Sequence, residues 1–306
     1  MSEMKVVPGI EITPARLVLS NLPDADYPAY NSATAYKIGD RVTIDRINYE
    51  AVVANTNRHP VTDTVSPAAW LSMGWVNKYR MFNKNIGSTW KIGTFTSTPE
   101  LIDFTIRPGQ RVNSIGLVGV FASSVRIVMT VPGTTDPVYD KTFAMSLKAG
   151  GSWYQYYFGQ FTTKDNLADF ELPPFNNADI RVIVSAPGGT AQVGMMVLGW
   201  SKSIGIAVYG TSLGRKSYST IREEFDGSVT ITNRGRRRFI NFQVVLDGDQ
   251  ISSTQRTLDS VEGMPALFVG ASELDYTVIA GIFDDFDTGL PTYNRGEFTL
   301  KVRSLM

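Results

Sequence analysis

The chain has no cysteine and a single histidine, His59. The first absence removes disulfides, thiolate nucleophiles and cysteine-based metal sites together. The second makes any Ser–His–Asp constellation or histidine-rich metal site depend on one residue. That residue lies in Thr56-Asn57-Arg58-His59-Pro60, a turn-like stretch where a solvent-exposed loop histidine is expected. No segment approaches the roughly 18 apolar residues needed to cross a bilayer as a helix. Glu3, Pro8, Glu11 and Pro14 stand where a secretory leader needs an apolar run, so neither export nor membrane insertion is expected. Net charge is also missing: 29 basic residues balance 29 acidic ones. Without a global field, nucleic acid is not an expected partner. Nor is there a P-loop, a dinucleotide fingerprint or a nucleophile elbow. These absences point to a protein that is not an enzyme, with no catalytic residues, no metal and no cofactor.

What is present suits a large β protein. The 306 residues are 43% hydrophobic but only 19% charged, enough for two or three cores of ordinary size. Residues 1–29 carry Pro8, Pro14, Pro23 and Pro28 and read as an extended arm with one short strand at 15–19. Such an arm is either disordered or ordered on a neighbouring subunit. Residues 30–84 form a small β module. Its alternation at Val42 and Ile44, then at Tyr49, Ala51 and Val53, predicts two strands around a turn near 45–48.

Residues 85–205 hold short strands at close spacing, at 101–106, 114–120, 125–131, 169–172, 180–185 and 191–199. Pro-Gly turns separate them, and the rhythm is that of an antiparallel sandwich or jelly roll. Residues 193–200 are apolar on both faces and read as a central strand. Residues 206–306 form an α+β unit: a strand pair at 228–233 and 238–246, the second with a bulge, then a helix. Ser252 and Gln255 suggest a capping box for that helix, Leu258 and Val261 its apolar face, and Gly263 its end. The fold class is therefore mostly β.

Three features bear on binding. Arg234, Arg236, Arg237 and Arg238 form the sharpest charge run. It is a phosphate or acidic-glycan contact, an inter-subunit salt-bridge strip or a solvated hairpin face. The patch Ser152-Trp153-Tyr154-Gln155-Tyr156-Tyr157-Phe158 would present aromatics on both faces of a strand. One such face packs in a core, and the other meets a neighbour or stacks on sugar rings. Asp284, Asp285 and Asp287 read as a polar strand end, with calcium as the alternative, although the spacing matches no known calcium loop.

Three stretches, in order, resemble bacteriophage tail proteins. Tyr36-Lys37-Ile38-Gly39-Asp40-Arg41-Val42, followed by Tyr49-Glu50-Ala51, Pro60 and Trp70, resembles the small carbohydrate-binding modules attached to chitinases and phage tail proteins. Ile47-Asn48 stands where those modules have a hairpin glycine. Trp75-Val76-Asn77-Lys78-Tyr79-Arg80-Met81-Phe82-Asn83 is similar to the linker that follows such modules in phage structural proteins, with Asn83 in place of Asp. Residues 100–205 resemble the galactose-binding-like jelly roll that comes next. Residues 218–230, 265–270 and 281–286 are similar to the C-terminal part of the same proteins.

The resemblance implies a structural virion component of the tail (sheath, collar or baseplate), assembled in the host cytoplasm. Its partners would be other copies of itself and neighbouring tail proteins. The alternative it implies is an adsorption protein that binds host surface glycan through Tyr36, Tyr49 and Trp70, with Trp153 as a further stacking residue.

Overall fold

A computed structural model describes residues 2–87, 89–90, 93–134, 136–147, 153–154, 162–208, 210–223, 225, 227–271, 274–292 and 295–305. The chain is mostly β and antiparallel, with one short helix near the C-terminal end.

The sandwich pairs a five-stranded sheet with a three-stranded one. In the larger sheet, Tyr139–Ala144, Ser124–Thr130, Asp179–Val193, Thr96–Ile106 and Leu17–Ser20 lie side by side. Every second residue points inward, so Ile102, Phe104 and Ile106 meet Val125, Ile127 and Met129 and Ile180, Val182 and Val184 in one core. The outward face is laced with ion pairs, Arg181 to Asp103 and Arg126 to Asp140, each at 2.5 Å. Asp179–Val193 runs straight through Ala186-Pro187-Gly188-Gly189, which the sequence reading took for a turn. Those four residues lie opposite Glu100 alone, since Pro99 faces Thr190 and Leu101 faces Ser185. They form a multi-residue bulge within the long antiparallel pair of Thr96–Ile106 and Asp179–Val193.

The three-stranded sheet, Asn166–Asp169, Ser114–Val118 and Met195–Gly199, is the middle layer of the molecule. All described residues of its second and third strands are buried. One face, with Ile115, Leu117, Met196 and Leu198, completes the sandwich core. The other, with Val118, Met195 and Val197, packs on Val7, Leu267, Val269, Val278 and Ala280. The double-sided apolar pattern at 193–200 does not mark a central strand: Met195–Gly199 lies at the edge of this sheet, with Ser114–Val118 in the centre, and Val193 belongs to Asp179–Val193. The pattern reports cover on both faces instead. Two glycines set the approach: a Cβ at Gly116 would stand 2.2 Å from Leu267 Cδ2, and one at Gly199 would stand 2.1 Å from the Pro8 carbonyl oxygen.

The partner across that seam is a barrel. Lys202–Ala207, Ser2–Pro8, Ala266–Val269, Val278–Thr292, Arg295–Ser304 and Arg236–Asp247 follow one another, and the last pairs again with the first through Ile206–Val245 and Ala207–Val244. Met4, Val6, Ile204, Ile240, Phe242, Val244, Phe268, Phe298, Leu300 and Val302 fill it. Closure leaves these strands few open edges. Arg236–Asp247 keeps unbroken register with Arg295–Ser304, so the expected bulge is absent. Phe239 sits on the outer face, where Lys301 Nζ is 5.6 Å from its ring centre. The helix Ile251–Asp259 buries Leu258, and Val261 beyond it joins the barrel core. It begins after a 3-10 turn at Gly248–Gln250, its N-cap is Gln250, and no side chain caps it. The capping box read at Ser252 and Gln255 does not form.

The N-terminal segment is no detached arm. Ser2–Pro8 is an interior strand of the barrel wall, flanked by Lys202–Ala207 and Ala266–Val269. Leu17–Ser20 is the edge strand of the larger sheet. Asp26 then reaches the small module, its Oδ2 accepting from Asn48 Nδ2 at 2.7 Å, from the Asn77 amide at 2.9 Å and from Arg80 Nη2 at 3.2 Å.

The small module is built on Arg41–Ile44, Ile47–Ala51 and Trp70–Trp75. Its hairpin turns at Asp45 and Arg46, with φ of 49° and 66°, and Ile44 faces Ile47. This is the two-residue turn with both central residues left-handed that suits strand twist. Asn48 is a buried strand residue, and the turn lies before it at Asp45 and Arg46. Behind it, the linker locks onto the sandwich. Asn77 Nδ2 donates to the Ser97 carbonyl at 2.6 Å and its Oδ1 accepts from the Ser97 amide at 2.9 Å, while Tyr79 and Met81 enter the sandwich core.

Candidate functional site

The sugar-stacking residues expected in the small module lie inside it. Tyr36, Tyr49 and Trp70 are each 8% exposed and form its core with Val42, Ala51 and Ala69. Tyr36 stacks on Tyr30 at 5.6 Å and meets Trp70 edge-on at 5.0 Å. Trp70 Nε1 donates to the Arg58 carbonyl at 2.8 Å, and the Tyr36 hydroxyl accepts from the Asn31 amide at 2.8 Å. A module of about fifty residues needs such rings as core; a sugar has no ring face left to stack on. His59 is half-buried, edge-on to Tyr30 at 5.1 Å, rather than a free loop histidine.

Trp153 and Tyr154 take helical geometry, not a strand, and are 79% and 73% exposed. Ser152 and residues 155–158 of that patch lie outside the described residues.

Strand alternation splits the arginine run. Arg236, Arg237 and Arg238 open the strand Arg236–Asp247, whereas Arg234 lies exposed before it. Arg237 faces the outer wall and donates through Nε to the Ser304 carbonyl at 2.7 Å. Lys216, Lys301 and Arg303 share that wall, and Arg303 is paired with Asp284 at 2.5 Å. The pairing gives Asp284 a role in the strand itself. The side chains of Asp285 and Asp287 lie outside the described residues. Among the described residues no group of three His, Cys, Asp or Glu side chains is placed to hold a metal ion.

Arg236 and Arg238 face the other way, and the adjacent strand Ser212–Ser217 adds Arg215 directly opposite Arg238. The three arginines line a cleft of about 420 Å³ where the barrel meets the end of the sandwich. Phe95 and Phe121, exposed by 38% and 54%, supply apolar lining, and Asp165 is the acidic residue lining it. Arg238 donates through Nη2 to the Tyr276 carbonyl at 3.0 Å. Burial, then repulsion by Arg215, holds Arg238 below the ordinary guanidinium value, against the pull of Asp165 and Asp275. The side chains of Arg215 and Arg236 make no hydrogen bond or ion pair among the described residues. The cleft therefore offers unspent positive charge beside apolar rings, a combination suited to a carboxylate carried on an apolar or aromatic group.

Two features were not foreseen. Lys84 is 1% exposed, and its Nζ donates to the Thr94 carbonyl and, at 3.1 Å, to Thr94 Oγ1. Burial, then repulsion by Arg80, pushes its pKa down to about 7. Lys84 does not line the arginine cleft, so it acts as a structural donor. The second is the hairpin that crosses from Ser212–Ser217 to Arg236–Asp247. Thr220–Glu223 pairs with Val229–Thr232 and, among the described residues, with no other strand, so the expected pair of 228–233 with 238–246 does not form. Every residue of both strands is exposed, including Ile221 at 67%, Val229 at 53% and Ile231 at 63%. Phe225, at the tip, is fully exposed.

Comparison with protein-family models, with curated proteins and with solved structures finds no match to this chain.

Proposed function

We propose that this protein is a structural subunit of a bacteriophage tail that assembles through contacts with copies of itself and with neighbouring tail proteins. The observation that carries the assembly part is the 218–235 hairpin. An isolated two-stranded hairpin is at best marginally stable in water. One that exposes Ile221, Phe225, Val229 and Ile231 is suited to being covered by another chain. The tail part rests on the order of the module-like, linker-like and jelly-roll-like stretches along the sequence. The fused architecture supports a passive, load-carrying role: the middle sheet is buried between the sandwich and the barrel. Immunogold electron microscopy of purified particles, with antibody raised against this chain, tests the reading. Label on the tail is the expected result. Particles that lack the protein altogether would sink it.

A second reading, recognition of host surface glycan, draws on Trp153 and Tyr154, two adjacent and largely exposed aromatic side chains. A glycan-binding screen with Trp153→Ala and Tyr154→Ala addresses it. Binding that is unchanged in both variants removes those residues from the site.

A further inference from the structure

The hairpin tip and the arginine cleft are opposite in charge and both expose aromatic rings, yet they lie at opposite ends of one stalk. The tip reads Arg222-Glu223-Glu224-Phe225-Asp226. Glu223, Glu224 and Asp226 flank Phe225 in sequence, Glu223 is exposed, and Phe225 is fully exposed. The cleft gathers Arg215, Arg236 and Arg238 beside Phe95 and Phe121, with Asp165 as its acidic member.

Arg236 stands at the base of the hairpin, and the strand Val229–Thr232 leads to it from the tip. At about 3.3 Å rise per residue, the stretch from Val229 to Arg236 spans roughly 20 Å. The paired registers from Thr220–Thr232 to Glu223–Val229 hold the stalk extended, which keeps the tip of a chain away from its own cleft.

We infer that the hairpin tip of one copy seats in the arginine cleft of the next, with Phe225 against Phe95 and Phe121 and the Glu223 carboxylate against Arg215 and Arg236. This rests on the structural-subunit reading above and names its contact. The two surfaces differ, so the contact is head-to-tail: it closes into a ring if the rotation between neighbours allows, and otherwise continues as a filament. An aromatic anchor in an apolar recess, flanked by charge pairs, is also the usual anatomy of an interface hot spot.

The experiment is sedimentation velocity on the full chain across a concentration series, with two variants. The tip variant is Phe225→Ala with Glu223→Gln. The cleft variant is Arg215→Glu with Arg236→Glu; Arg238 is left alone because it holds the Tyr276 carbonyl. The substituted residues are exposed, so melting temperatures close to the parent are expected, which separates lost assembly from lost fold. The parent chain is expected to form species larger than a dimer. Each variant alone is expected to need at least a ~10-fold higher concentration to associate, as loss of about 1.4 kcal/mol or more requires.

An equimolar mixture is the decisive arm. Each variant keeps the half that the other lacks, so the mixture should form one-to-one pairs and stop there. A parent that stays monomeric overturns the inference, as does assembly by either variant like the parent. Loss of assembly in the cleft variant alone also overturns it, and would assign the cleft to another acidic group. If the variants assemble normally while the label still decorates the tail, this contact fails and the structural reading survives.

Discussion

The middle sheet and the 218–235 hairpin are both small antiparallel units, and they have opposite surroundings. Ser114–Val118 and Met195–Gly199 are buried at every position, covered by the sandwich on one face and the barrel on the other. Thr220–Glu223 and Val229–Thr232 are exposed at every position. The middle sheet is apolar on both faces, whereas the hairpin carries Ile221, Val229 and Ile231 on one face and Thr220, Arg222, Thr230 and Thr232 on the other. Pattern therefore separates the two, and what finishes each unit depends on what distant segments supply. For the middle sheet the supply comes from Val7, Leu267, Val269 and Val278. For the hairpin no such segment lies among the described residues.

The sharpest way to break this comparison is to put the same charge into both units. Val197→Asp buries a carboxylate in the dry seam, and a loss of more than about 4 kcal/mol in urea unfolding is expected. Ile231→Asp in the hairpin should change the unfolding free energy by less than about 0.5 kcal/mol while weakening self-association. Equal costs would mean that one of the two units is not as described.

The next contrast lies between layers rather than faces, at Lys84. Its pKa is about 7 in the folded chain against an ordinary 10.5. Between those values the unfolded chain binds more protons than the folded one, so stability rises with pH across pH 7–10.5. Below pH 7 the full penalty of burying the ammonium is present. Lys84→Met removes that penalty but leaves the Thr94 acceptors without this donor. A net gain of about 1–3 kcal/mol at pH 6 is expected, shrinking by pH 9. A pH-independent difference would refute this account of Lys84.

A smaller effect is expected at the join between the small module and the sandwich. Asn77→Ala removes both side-chain bonds to Ser97 and should cost about 1–2 kcal/mol. Limited proteolysis would then cut first within residues 83–95.

Much of this arrangement was legible in the residues, and the illegible part has a common cause. Alternation at Val42, Tyr49, Ala51, Ile102, Phe104 and Ile106 marked true strands, because each puts its apolar residues on the core side, although Thr43 and Asn48 are buried as well. The stretch at 193–200 was legible as apolar on both faces, but its place at the sheet edge and its cover were not, since that cover comes partly from residue 7 and partly from residue 267. Likewise Met4 and Val6 look like any short apolar pair until the barrel closes around them.

Tyr36, Tyr49 and Trp70 are of the right types for sugar stacking. Their inward orientation depends on Tyr30 and on the small size of the module. The arginine run was legible as charge, and strand period 2 divides it correctly into Arg236 with Arg238 against Arg237. The cleft itself needs Arg215, Phe95 and Phe121 from three other segments, and no local pattern announces that meeting.

The interior position of Ser2–Pro8 in the barrel has a consequence for biosynthesis. Ser2–Pro8 is synthesised well before the neighbours that complete it, which begin at Lys202 and Ala266. At about 5–20 residues per second, that strand waits on the order of 10–50 s, and its own edges stay open meanwhile. The sandwich can collapse earlier, yet its seam face, with Val118 and Val197, stays wet until the barrel arrives. Translation speed and chaperone occupancy over that interval should therefore govern the yield of native protein more than the final stability does.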